Sequence, residues 1–109
     1  MSEDCLFCRI LKNEIPSKKV FENEKVYAFK DIHPQAPVHV LFIHKEHTKD
    51  IGELIDQDPR QLQDLFLAIR QFSVETKIDD KGIRIMTNWG KSAGQTVFHT
   101  HFHVLSGKL

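Results

Sequence analysis

The stretch FHTHFHV, Phe98 to Val104, places His99, His101 and His103 at every second position. A strand advances about 3.3 Å per residue and alternates its faces, so the three imidazoles are expected on one face and Phe98, Thr100, Phe102 and Val104 on the other, against the core. A histidine with a pKa of about 6.5 is largely unprotonated at neutral pH, so this face can offer a nucleophile with neighbours that hold a phosphate. Adjacent imidazoles also discourage one another's protonation. One metal held by all three is disfavoured: zinc–nitrogen bonds are about 2.0 to 2.1 Å, whereas the outer Cβ atoms lie roughly 13 Å apart. A lone strand histidine is ordinarily a solvated residue, but three in alternation, with His39 interrupting the apolar run VHVLFIH, point to chemistry.

The elements that must position these side chains follow from periodicity and turn signals. Leu6, Phe7, Ile10 and Leu11 recur at helical spacing ahead of Pro16, which predicts a short amphipathic helix over residues 4–12. VFE at 20–22 and VYAFKD at 26–31, separated by Asn23 and Glu24, read as a hairpin. Pro34 and Pro37 impose an extended loop, and Val38 to His44 follow as a largely buried strand. The clearest helix opens at Asp58 as N-cap, with Pro59 in first position and Gln61 placed for a capping box; Leu62, Leu65, Phe66, Ile69 and Phe72 form its apolar stripe. IRIMTN at 83–88 reads as a strand, WGKSAGQ as a glycine-bearing loop, and TVFHTHFHVL at 96–105 as a final strand pairing with it. Loops are short except the one after His44. Mixed strands and helices without regular βαβ alternation predict an α+β fold with an antiparallel sheet.

A chain of 109 residues fits a single domain spanning 1–109 that buries a modest core. Fifteen basic residues balance fifteen acidic ones, so no long-range field attracts a nucleic acid or an anionic membrane; any phosphate must be bound locally. MSEDCLFCRILKNEIP lacks a basic segment followed by a long apolar run, and no stretch approaches the roughly 20 apolar residues that span a bilayer, so the cytoplasm is the expected location. Both cysteines, Cys5 and Cys8, lie in one CxxC, which in a reducing compartment suggests free thiols or half of a metal site. A redox pair, or two small buried apolar residues, are the alternatives.

HTHFHVL resembles the signature of the histidine triad nucleotide-binding family, His-apolar-His-apolar-His-apolar-apolar, with Thr100 as the softened position. CLFCRILKNEIPSKKVFE, AFKDIHPQAP, VHVLFIHKEH and GQTVFHTHFHVLSG are similar to blocks of its Hint branch in the same order, over nearly the whole chain. The resemblance implies a five-stranded antiparallel sheet with two helices, a homodimer, and hydrolysis of purine nucleoside 5′-phosphoramidates through a nucleotidyl-histidine intermediate, with no cofactor required for catalysis. It makes His101 the nucleophile, flanked by His99 and His103, with His39 as the additional upstream histidine. Gly94, Gln95, Thr96 and Asn88 correspond to the phosphate side, Thr96 standing where serine is usual. Asp31 matches the ribose carboxylate, and Phe7, Ile10, Phe29, Ile32 and Leu41 match the base pocket; by themselves those five would be plain core. Some members hold a structural zinc, for which the matching residues are Cys5, Cys8, His47 and His99, a complete tetrahedral donor set.

His44 departs from the branch, which commonly has proline there; it reads either as an exposed strand end or as an alternative ligand to His47. The sister branch that cleaves dinucleoside polyphosphates, a purine nucleotide-binding or interaction module, and a small zinc protein without turnover are the competing functions. The last leaves His39, His101 and His103 without a task.

Overall fold

The computed structural model describes residues 5–108. Its frame is a five-stranded antiparallel sheet ordered β1-β2-β3-β5-β4, formed by β1 (Lys19–Glu22), β2 (Val26–Lys30), β3 (Val38–His44), β4 (Ile83–Met86) and β5 (His101–Ser106). Helix α1 (Leu6–Leu11) precedes β1; α2 (Ile51–Gln57) and α3 (Arg60–Glu75) lie between β3 and β4. The α+β class and the antiparallel sheet are as the sequence predicts. Among the described residues no helix is long and apolar enough to cross a membrane.

Alternation along β3 sorts the two layers. Val40 and Phe42, with Val26 and Ala28 of β2 and Phe102 and Val104 of β5, face α3, where Leu65, Ala68, Ile69 and Phe72 complete the main core. Leu41 and Ile43, with Tyr27 and Phe29, face the opposite way and pack against Phe7, Cys8 and Ile10 of α1. The register sets Leu41 against His103 and Ile43 against His101, so β3 supplies the apolar floor beside both histidines.

Local chemistry explains the smaller elements. The side chain of Asn23 accepts the N–H groups of Lys25 and Val26, closing the β1–β2 turn where Asn23 and Glu24 predict it. Helix α1 is capped by Cys5, whose sulfur accepts the Cys8 N–H; the expected residue 4 falls outside the described residues. Helix α2 occupies the segment that reads as a long loop. It had a signal: Asp50 accepts the Glu53 N–H, while the Glu53 carboxylate accepts the Lys49 N–H, an arrangement close to a capping box. With Leu54 as its one buried residue, its periodicity is too short to register. Asp58 accepts the Arg60 N–H and also closes α2, so α3 begins at Arg60 with Pro59 as its cap residue. The box from Gln61 does not form, because its amide donates to Glu46 of the preceding loop.

The final strand is shorter than the sequence suggests. β5 starts at His101, opposite Ile43, one residue before β3 ends; residues 96–100 have no strand partner. Thr100 instead bonds Thr48, backbone N–H to carbonyl at 2.8 Å and hydroxyl to hydroxyl at 2.6 Å. Phe98 is therefore half-exposed outside the core, and the strand alternation does not extend back to His99. Similarly β4 stops at Met86, and the Thr87 hydroxyl donates to the His101 carbonyl.

Candidate functional site

A pocket of about 710 Å³ opens on the α1 side of the sheet. Its apolar wall includes Phe7, Ile10, Phe29, Ile32 and Leu41; its polar end includes Asp31, His39, Asn88, Gly94, Thr96, His101 and His103. Chain segments far apart in sequence thus converge on one concave, mostly apolar surface with a few polar groups at one end. Phe7, Ile10, Phe29 and Leu41 are buried, whereas Ile32 is 86% exposed and forms the rim.

His101 is held so as to free one nitrogen. Its Nδ1–H donates to the His99 carbonyl at 2.8 Å, which leaves the Nε2 lone pair available. Phe7 packs edge-on against the ring with centroids 5.1 Å apart. Burial lowers the His101 pKa below the ordinary histidine value, opposed by the bond to the His99 carbonyl and by the charge of Asp31.

The other two histidines form a relay of fixed polarity. The Gln35 N–H donates to His39 Nδ1 at 3.1 Å, so the His39 proton sits on Nε2. That Nε2–H lies 2.9 Å from His103 Nδ1 and 3.3 Å from the Asp31 carboxylate. His103 therefore accepts at Nδ1 and carries its own proton on Nε2. Burial, then the neighbouring His101 and His39, push the His103 pKa down to about 4. Asp31, His39 and His103 are close enough to suggest a metal triad, but the proton on His39 Nε2 argues against ligation there.

His99 stands apart from this pair. Fully buried, it turns its Nδ1 toward Cys5 at 3.4 Å, Cys8 at 3.5 Å and His47 at 3.1 Å, while Cys8 lies 3.3 Å from His47. Zinc bonds of about 2.3 Å to sulfur and 2.0 Å to nitrogen give tetrahedral edges of about 3.3 to 3.8 Å, close to these separations. His99 Nε2–H donates to the His44 carbonyl at 3.0 Å, the second bond that commonly fixes a ligating imidazole. Burial pushes the His99 pKa down to about 4, and burial together with Cys5 pushes the Cys8 thiol up to about 11. Two sulfurs and two imidazole nitrogens converging at these distances, with the His99 Nδ1 lone pair turned toward them, are a donor set that a cation would satisfy, so the four residues fit zinc.

The phosphate-side loop is built differently from expectation at one residue. Gly94, at φ +96°, adopts a conformation that favours glycine, and Asn88 donates to the Ala93 carbonyl across the turn. Gln95 does not reach the pocket. Its amide N–H₂ donates to the carbonyls of Lys49 and Val97, its oxygen accepts the Gly90 N–H, and its backbone N–H bonds the Gly90 carbonyl. It braces the loop from behind, a role its neighbours in sequence could not reveal. Trp89, which sequence reasoning passed over, lies against Gly52 of α2: a Cβ there would stand 2.6 Å from the indole. Gly52→Ala is expected to displace this sole tryptophan and shift its emission, with helix propensity favouring the variant by about 1 kcal/mol. Unchanged emission would mean that the indole does not rest there.

His44 is neither an exposed strand end nor a ligand. It is buried, with Nε2 2.9 Å from Asp64 of α3 and Nδ1 accepting the Glu46 N–H, on the face away from the cysteines.

The HIT domain family model matches residues 12–109. The chain is 40% identical to an uncharacterized HIT-like protein of Synechocystis over 99% of its own length and 94% of that protein's. Among solved structures it is similar to a HIT family hydrolase from Clostridium thermocellum, at TM-score 0.93 and 45% identity, covering 99% of this chain and 94% of that one. It is also similar to a histidine triad nucleotide-binding protein from Candida albicans, at TM-score 0.84 and 36% identity, covering 93% and 73%.

Proposed function

The chain belongs to the HIT domain family, and on that premise we propose that it is a purine nucleoside 5′-phosphoramidate hydrolase that works through a nucleotidyl-histidine intermediate on His101. The observation that carries this reading is the freed Nε2 of His101, facing a pocket apolar enough for a base at one end and polar enough for a phosphate at the other. The descriptions of solved relatives as a hydrolase and as a nucleotide-binding protein support it at the level of the class.

In this reading the base lies among Phe7, Ile10, Phe29 and Leu41, and the Asp31 carboxylate accepts from the ribose hydroxyls. His101 Nε2 forms a bond to the α-phosphorus as the phosphorus–nitrogen bond to the leaving amine breaks. His103 Nε2–H and the loop around Gly94 offer donors to the phosphoryl oxygens, and the hydroxyl of Thr96, which lines the same polar end, passes a proton to the departing amine. Water then attacks the same phosphorus, its proton restoring the Thr96 hydroxyl, and imidazole leaves with the bonding pair, releasing the nucleoside monophosphate. Positioning and charge neutralisation dominate such a reaction. Zinc, when bound by Cys5, Cys8, His47 and His99, supplies a structural crosslink. Pairing of two copies is supported by the edge position of β4 and by exposed Leu67 and Val74 on one face of α3. The whole chain then acts as one domain.

The test is turnover of an adenosine 5′-phosphoramidate of a fluorescent amine, with amine and AMP followed together. Equal release of both supports the reading; nucleotide binding without release would replace it with a binding module, and preferential cleavage of a dinucleoside polyphosphate with the sister activity.

Burial lowers the pKa of His101, so its neutral, nucleophilic form persists below the ordinary value of about 6.5. The acid limb of kcat/KM is therefore expected below pH 6.5, with activity lost as the pH falls through the lowered pKa. A limb at or above 6.5 would contradict it.

A further inference from the structure

We propose that His44 and Asp64 are positioning residues for the nucleophile, acting from the opposite face of the sheet. His44 ends β3, and alternation points its side chain toward α3 with Val40 and Phe42, while His39, Leu41 and Ile43 serve the pocket side. Each of its polar atoms is committed. Nδ1 accepts the Glu46 N–H at 3.1 Å, so the ring proton is on Nε2 and donates to the Asp64 carboxylate at 2.9 Å. Its carbonyl accepts His99 Nε2–H at 3.0 Å, and the His99 carbonyl accepts His101 Nδ1–H at 2.8 Å.

The links run without interruption from α3 to the reacting nitrogen: Asp64, His44, His99, His101. Two of them are backbone carbonyls, so their direction depends on how the chain is held at residues 44 and 99. The segment just after His44 leaves the sheet, and β5 has not yet begun at His99; neither carbonyl belongs to the β3–β5 pairing of the strand interior. The peptide after His44 is held by the Lys45 N–H donating to the Lys25 carbonyl, and the one after His99 by the Thr100 N–H donating to the Thr48 carbonyl; the helix-anchored His44 side chain adds a further restraint at the edge where β3 loses its β5 partner. Because His99 is also the shared member of the Cys5, Cys8 and His47 cluster, the same anchor sets the orientation of its Nδ1 toward those donors.

The inference rests on the reading of His101 as nucleophile, and the experiment separates the two. Asp64→Ala removes the acceptor; Asp64→Asn keeps an acceptor oxygen and removes the charge. Nitrogen-15 spectra of the imidazoles, which need no turnover, are expected to show His101 as a single Nδ1–H tautomer in the wild type and Asp64→Asn, and as a tautomer mixture in Asp64→Ala. Cobalt(II), added to metal-free protein as a spectroscopic probe, is expected to bind Asp64→Ala about tenfold or more weakly. With the phosphoramidate, kcat should fall about tenfold in Asp64→Ala with KM within twofold, and Asp64→Asn should recover most of it. A lower melting temperature in Asp64→Ala with tautomer, cobalt affinity and kcat all at wild-type values would reduce the pair to a structural brace and overturn the proposal. An absence of turnover in the wild type, with the tautomer and cobalt effects intact, would overturn the assigned reaction alone. If Asp64→Ala does not fold, His44→Gln, whose amide N–H can reach Asp64 from the place of Nε2 but which has no acceptor at the place of Nδ1 for the Glu46 N–H, carries the same comparisons.

Discussion

His101→Asn is expected to lose turnover by a factor on the order of 10⁴ or more while still binding AMP within a few-fold of wild type. Asparagine approximates the near half of the imidazole and can still donate to the His99 carbonyl, so the loop and the pocket keep their shape. What it lacks is a nitrogen lone pair able to bond phosphorus, because the amide nitrogen is conjugated with its carbonyl. Binding contacts cannot substitute for a missing bond-forming atom, whereas removing an assisting group lowers efficiency by less. Thr96→Ala and His39→Ala are accordingly expected to cost less than His101→Asn. For His39→Ala the deficit should fall on kcat, since the proton on His103 Nε2 would lose the fixed tautomer that the Gln35–His39 bond imposes. Mass spectrometry of a quenched wild-type reaction should find the nucleotide attached to the peptide containing His101. Retention of more than a tenth of wild-type turnover in His101→Asn would remove His101 from the role and direct the search to His103.

Zinc should account for the largest change in stability. At a free concentration about a thousandfold above the dissociation constant, a ligand that binds only the folded state adds about 4 kcal/mol. For a domain of this size each kcal/mol moves the melting temperature by about 4 to 8 °C, so chelation should lower it by about 15 °C or more. The structural reason lies in α1. A helix of six residues has no independent stability, and it is tied down by Phe7, Cys8 and Ile10 packing on Leu41 and Ile43, and by the cysteine–histidine cluster. Removing the metal should therefore loosen the helix that carries part of the base wall. The check is metal content by elemental analysis, with thermal melts before and after chelation; Cys8→Ser should match the chelated wild type. Protein that holds no zinc and melts identically with and without chelator would make these four residues a hydrogen-bonded core cluster.

Stability should also depend on acid through His103. Its folded pKa, about 4, lies below the ordinary histidine value, so the unfolded chain takes up the proton first. Melting temperature is therefore expected to decline as the pH falls from about 6.5 toward 4, where the folded imidazole also protonates. A melting temperature flat through that window would contradict the shift.

The elements whose signals are local were legible. VHVLFIH is apolar apart from His39 and His44, with three β-branched residues, and forms β3 over the residues read from it; Asn23 turns the first hairpin by capping two N–H groups with its own side chain. Pattern also located the histidines, the CxxC and the glycine loop. What pattern could not show was where β3 would stop offering a partner. The alternation HTHFH continues unbroken through His99, yet a strand exists only while a neighbour accepts its bonds, and that neighbour ends at His44. The same limit hid α2, whose Asp50 cap is visible in sequence but whose single buried side chain leaves no stripe.

By itself, then, the sequence determined the residue types: imidazoles near neutrality, a thiol pair, a carboxylate, and the apolar runs that make a sheet and a helix to carry them. The grouping of His99 with the cysteines and of His101 and His103 with the pocket, which the resemblance implies, is carried out by contacts between distant segments, and tertiary structure alone turned Gln95 inward as a brace and set His44 against Asp64 on the far side of the sheet. The physical reason is that a side chain's chemistry is fixed by its composition, but its proton position, pKa and partners are set by contacts between segments up to 94 residues apart, as between Cys5 and His99.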